Sequence, residues 1–159
     1  MKGLDQFLLP YIGSQVISLV VLYVAWKSTR LARLLFAAMF LYAGCYNMYI
    51  GFVKPDEYLG FADLAVPLYR DFINGWFTYY NYILIPMIAT GQLAVAVGMV
   101  LNDWWVKFAS LGAIVFLLAI APLMVGSAFP FSLTVSFAAY LILRNDDMAY
   151  VWRPIKGSG

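Results

Sequence analysis

The chain has no histidine and a single cysteine, Cys45, and only 11% of its 159 residues are charged. Without histidine there is no imidazole to ligate haem or zinc or to serve as the base of a Ser-His-Asp triad. One thiol forms neither an internal disulfide nor a Cys-x-x-Cys redox pair. Cys45 itself falls inside an apolar run, away from any positive group that would lower its pKa, and reads as a buried small apolar residue. Ordinary soluble domains are roughly 25% charged, so this chain has too few charges to cover a water-facing surface. A net charge of +2, with the basic residues scattered between apolar runs, offers no continuous positive face and excludes nucleic acid as a partner.

What the chain does have is hydrophobic length: 64% of its residues are apolar and 18% aromatic. Five runs stand out, Phe7–Trp26, Leu31–Val53, Phe77–Leu101, Trp104–Val125 and Phe129–Leu143. A hydrocarbon core of about 30 Å needs roughly 20 helical residues. The first four runs reach that length, whereas the fifth has 15 residues and needs Ser127 and Ala128, or thinned lipid, to cross. The runs are continuously apolar rather than alternating, which excludes a membrane β-barrel. The expected fold class is therefore all-α, a polytopic membrane helical bundle of five spans forming one membrane domain over 1–159. Lys27, Ser28, Thr29 and Arg30 follow the first run where a secretory signal would carry a small-residue cleavage site, so that run reads as a retained helix. Lys and Arg are held on the cytoplasmic side of membranes. Placing the N-terminus outside and the C-terminus inside puts Lys27, Arg30, Arg33, Lys107, Arg144, Arg153 and Lys156 there, against Lys2, Lys54 and Arg70 outside. Trp104, Trp105 and Trp152 then anchor the inner interface.

Small residues four apart, Ala94 and Gly98 on the third span and Ala109 and Ala113 on the fourth, are expected where helices approach closely. Pro86 and Pro122 are expected to kink their helices. The long connection 54–78 is rich in aromatics and punctuated by Pro55, Pro67 and Gly75, and Phe61, Leu64, Ala65, Leu68 and Phe72 follow helical spacing. One or two short helices lying at the outer interface are expected there, the second beginning at Pro67. Gly157, Ser158 and Gly159 read as a tail without structural role.

Three stretches share a pattern with a known family: Ala-Arg-Leu-Leu-Phe from Ala32, Phe-Leu-Tyr-Ala-Gly from Phe40 and Lys-Pro-Asp-Glu-Tyr from Lys54. Gly91-Gln-Leu-Ala-Val-Ala-Val-Gly98, Leu101, Lys107, Ala109 and Leu111 continue it. Together they resemble the DoxX-like family of small bacterial four-helix membrane proteins over about residues 31–143. The resemblance implies a four-helix core with one extra N-terminal span, placed in the bacterial cytoplasmic (inner) membrane. The family's intramembrane glutamate corresponds to Gln92, which carries no charge. The family name derives from a subunit associated with thiosulfate:quinone oxidoreductase.

Polar side chains at membrane depth need a partner or a purpose. They are Gln15, Ser18, Asn47, Asn81, Thr90, Gln92, Ser132, Thr134 and Ser136, with no Lys or carboxylate at mid-depth to form a proton relay or an ion path. The candidate binding site is Asn47, Tyr69, Arg70, Asn81 and Gln92, joined towards the outer leaflet by Tyr42, Tyr46, Tyr79, Tyr80, Asp63 and Asp71. A pocket of Tyr and Trp with a few amides and one Arg suits a largely apolar ligand with a small polar head, such as a quinone or a lipid. The competing structural readings are an interhelical hydrogen bond for Gln92 and pairing of Arg70 with Asp63 or lipid phosphate. No catalytic or metal-ligating set is expected. The chain reads as a non-catalytic membrane subunit or accessory protein packing against partner membrane proteins or copies of itself. The alternative is a subunit of a quinone-linked oxidoreductase whose redox centre lies on a partner chain.

Overall fold

The computed structural model describes residues 8–153. Its elements are α1 (Leu8–Lys27), α2 (Thr29–Val53), a 3₁₀ segment (Pro55–Asp63), α3 (Pro67–Phe72), a wide π turn (Ile73–Phe77), α4 (Thr78–Val100), α5 (Trp104–Ile120), a second 3₁₀ segment (Ala121–Ser127) and α6 (Phe131–Asn145). There is no strand among the described residues. The tail 157–159 lies outside them.

Local chemistry sets the breaks. Ser28 alone separates α1 from α2; its backbone is extended and its side chain accepts from the Leu31 N–H, capping α2. Pro55 and Pro67 open their segments, where a missing N–H costs no hydrogen bond. From Pro67 the chain runs through to Val100, with its non-helical residue at Gly75 (φ −99°, ψ −106°). α4 continues through Pro86, so the expected break falls at the glycine instead. The Pro86 ring seats against α2: a Cβ on Gly51 would lie 2.7 Å from its Cδ. Pro122 does end α5, which tightens into 3₁₀ geometry from Ala121.

Four stretches are long and apolar enough to cross a membrane: Leu8–Lys27, Thr29–Val53, Pro67–Val100 and Trp104–Ser127. The fifth run forms α6, which at 15 residues spans only about 22 Å. One face of α6 lies in the core, with Val135, Ala138, Ala139 and Ile142 fully buried. Around it gather Val21 and Ala25 of α1, Ala32 and Phe36 of α2, Met99 of α4, and Val106 and Ala113 of α5. Large apolar side chains such as Leu9, Phe52 and Val115 face outward instead, as in a bundle whose solvent is lipid.

The close α4–α5 approach occurs at Gly98, where a Cβ would lie 2.8 Å from the Ala109 Cβ and 2.9 Å from the Trp105 carbonyl. Ala94, expected to share that contact, is exposed. Cys45 likewise faces outward rather than inward. At this end of the bundle Arg33 is completely buried. Its guanidinium donates to Asp146 Oδ1 (2.8 Å) and to the carbonyls of Met99 (2.8 Å), Leu101 (2.5 Å) and Ala149 (2.7 Å). One turn earlier Arg30 bridges to Asp147 at 3.0 Å. This clasp binds the start of α2 to the ends of α4 and α6, and the turn between α4 and α5 joins it through Asp103 N–H to the Met148 carbonyl.

Candidate functional site

At the opposite end, beneath the 54–78 connection, the helices separate around a cavity of about 560 Å³. Its walls come from the second half of α2, both 3₁₀ segments, α3, the π turn, α4, the end of α5 and the first residue of α6. The irregular geometry makes the room. Gly75 turns the chain away from α4, and Met124, with φ 55° and ψ −116°, does the same after α5. Phenylalanines 40, 61, 72, 77, 116 and 131 supply most of the aromatic surface, and no tryptophan lines it.

One chain of polar groups crosses this apolar wall. The Tyr58 hydroxyl donates to Asn47 Oδ1, and Asn47 Nδ2 donates to Gln92 Oε1 at 2.7 Å. Burial first, then the nearby Tyr46 and Glu57, pushes the Tyr58 phenol up to about 12. With the Tyr58 hydroxyl donating, the Asn47 amide turns its oxygen towards Tyr58 and its nitrogen towards Gln92. Gln92 is only 3% exposed, and its Nε2 donates to no acceptor among the described residues. It is not among the fully occluded polar atoms without a partner, because the cavity reaches it. The other hydroxyls in the wall are spent on backbone: Tyr69 donates to the Ala119 carbonyl at 2.7 Å and Ser127 to that of Met124 at 3.1 Å.

Of the five residues expected to form the site, Asn47, Tyr69 and Gln92 line the cavity. Asn81 is buried outside it, donating to Asp56 Oδ1 at 2.8 Å and tying α4 to the first 3₁₀ segment. Arg70 is half-buried and does not line the cavity; its Nε is occluded without a partner among the described residues. The expected Arg70–Asp63 pair is not formed: the ion pairs among the described residues are Arg30–Asp147 and Arg33–Asp146. Tyr42, Tyr46, Tyr79 and Tyr80 point outward, so they form an exterior belt rather than a pocket wall. Tyr58 and the phenylalanines were missed by the sequence reading. Their signal was the aromatic density of the connection, which does not say which rings turn inward.

Among the described residues the lining holds two amides, two phenols and a serine hydroxyl, and no amine, carboxylate or thiol. Such a wall can offer an apolar molecule hydrogen bonds. No family model, no curated protein and no solved structure matches the chain.

Proposed function

We propose that this protein is a multi-pass membrane protein that holds a lipid-soluble ligand, a quinone or a lipid, in the cavity beneath its 54–78 connection. In this reading it is a non-catalytic subunit or accessory protein packing against partner membrane proteins in a bacterial cytoplasmic membrane. The observation that carries the reading is the cavity itself, an apolar chamber of about 560 Å³ with one polar chain ending in an unused donor. Its size lies within the roughly 300–1,000 Å³ of small-molecule sites, and its lining matches a ligand that partitions into lipid.

The orientation argued from charge belongs to the same proposal. Lys27, Arg30, Arg33, Lys107, Arg144 and Arg153 gather towards the clasp end with the outward-facing Trp26, Trp104, Trp105 and Trp152. Tyr42, Tyr46, Tyr79 and Tyr82 ring the other end. Two aromatic belts flanking apolar helices suit the two interfaces of a bilayer, with the cavity in the outer leaflet and α6 as a short fifth span. The DoxX-like resemblance supports the same placement.

The test is photolabelling of the protein in lipid nanodiscs with an alkane bearing a diazirine. Label on peptides carrying Leu84 and Leu123, lost in Ala43→Trp, which fills the chamber, is the expected result. Label confined to outward residues such as Val115, and indifferent to Ala43→Trp, sinks the reading.

A further inference from the structure

We propose that the cavity selects ligands whose polar tip is an uncharged carbonyl, received by Gln92, and that these ligands enter sideways from the lipid. The proposal rests on the cavity being a ligand site and names what it takes.

The Tyr58–Asn47–Gln92 chain has a direction. Tyr58 has a proton to give, Asn47 passes the polarity on, and the chain ends in the two N–H groups of Gln92 Nε2 with no acceptor among the described residues. The groups left over at the end of this chain are N–H donors facing the cavity, so what this site lacks is an acceptor. A ligand bearing only an ammonium group leaves that lack in place. Charge narrows the choice further. Among the described residues no Lys or Arg lines the cavity, so a carboxylate or phosphate placed there would be a buried anion without a counter-ion among them. The remaining common acceptor on a lipid-soluble molecule is a neutral carbonyl, found on a quinone ring or in an acyl ester.

The position of Gln92 sets the route. It lies 14 residues into α4 from Thr78, about 21 Å from the loop end of that helix, so a tip bound there sits deep in the hydrocarbon. Ile88, one turn before Gln92, and Phe72 both line the cavity and keep more than a third of their surface exposed. In the proposal the chamber meets the lipid beside these two residues. A ligand dissolved in the bilayer reaches Gln92 past them without crossing the interface, and a tail longer than the chamber leaves by the same route.

Ether-linked phospholipid nanodiscs, which contain no ester carbonyl, provide the experiment. Displacement of the diazirine-alkane label is measured with hexadecane, palmitate, methyl palmitate and a decyl-substituted benzoquinone, each at pH 8. One hydrogen bond gained in an apolar site corresponds to roughly tenfold in affinity. At least one carbonyl probe is therefore expected to displace the label at about tenfold lower concentration than hexadecane and palmitate. Gln92→Leu is expected to abolish that advantage. Displacement by the quinone alone or by the ester alone assigns the carbonyl's source, and either result supports the proposal. Carbonyl probes no better than hexadecane, or palmitate better than both, overturn it while the cavity remains a binding site. Absence of label in the chamber removes the underlying reading as well. The wild-type ranking is decisive by itself should Gln92→Leu fail to fold.

Discussion

The two ends of the bundle use polar groups in opposite ways. At the clasp, Arg33 is fully buried and four of its hydrogen bonds are made to one carboxylate and three carbonyls. At the cavity, the polar chain stops one bond short, on Gln92 Nε2. The helices follow suit: Gly98 draws α4 against the backbone of α5 at the clasp end, whereas Gly75 and Met124 break the regular helix around the chamber. A close-packed end with all three guanidinium nitrogens of its key residue engaged holds the bundle together, and this leaves the other end at liberty to stay open. The division predicts that damage at the clasp costs stability, and damage at the cavity costs binding.

The largest expected effect is at Arg33. Arg33→Met strands the Asp146 carboxylate, 1% exposed, without its cation and frees the carbonyls of Met99, Leu101 and Ala149. Removing one partner of a buried pair costs about 3–5 kcal/mol. Unfolding in mixed micelles followed by circular dichroism should show that loss, and Arg33→Met with Asp146→Leu should recover part of it. If Arg33→Met unfolds at the wild-type midpoint, the clasp is not what holds this end.

A pair of glycines sharpens the comparison at smaller magnitude. A methyl group on Gly98 meets the Ala109 Cβ at 2.8 Å and the Trp105 carbonyl at 2.9 Å, neither of which can move without shifting a helix. A methyl group on Gly126 meets only the Phe61 ring, at 2.9 Å, and that ring borders open space. Gly98→Ala should therefore cost about 1–3 kcal/mol by overpacking, and Gly126→Ala distinctly less. Thermal unfolding of the two variants side by side decides it; equal losses would mean that the cavity end is as unyielding as the clasp.

Much of this contrast escaped the sequence for a physical reason. Helix class, the opening of α3 at Pro67 and the irregular connection were legible because length, hydropathy and proline act locally. Asn47 and Gln92 were legible because amides at membrane depth are few. Which face a residue takes was not legible in helices that are apolar all round: nothing local told that Tyr58 turns inward and Tyr42 outward, or that Ala94 misses the α4–α5 contact made by Gly98. The clasp left a trace that is plain once seen. Arg30 and Arg33, three apart at the start of α2, answer the adjacent Asp146 and Asp147 beyond α6. Reading these arginines only as topology markers hid their partners.

Tyr58→Phe turns the comparison around. Its hydroxyl sits in a connection outside the long helices and serves the cavity alone, so its loss should change stability by no more than about 0.5–1.5 kcal/mol. Without that donor the Asn47 amide has no fixed sense and Gln92 can be reached from either polarity. The preference for carbonyl probes over hexadecane should therefore shrink in Tyr58→Phe although the probes still enter. An unchanged preference would show that Gln92 needs no orientation from Tyr58.

The smallest effect belongs to the outer rung of the clasp. The Ala149 N–H, and then Arg30, hold the Asp147 carboxyl below its ordinary value of 3.8, although its side chain is 60% exposed. A carboxyl lowered by folding adds stability above its unfolded pKa and loses it as pH falls through the folded value. Asp147→Asn should therefore unfold slightly below the wild type at pH 7, with the gap closing as the pH drops beneath 3.8. Solvent screens so exposed a pair, so the shift in midpoint should be far smaller than that of Arg33→Met. A gap that persists undiminished at the lowest pH would leave the charge of Asp147 without a part in the clasp.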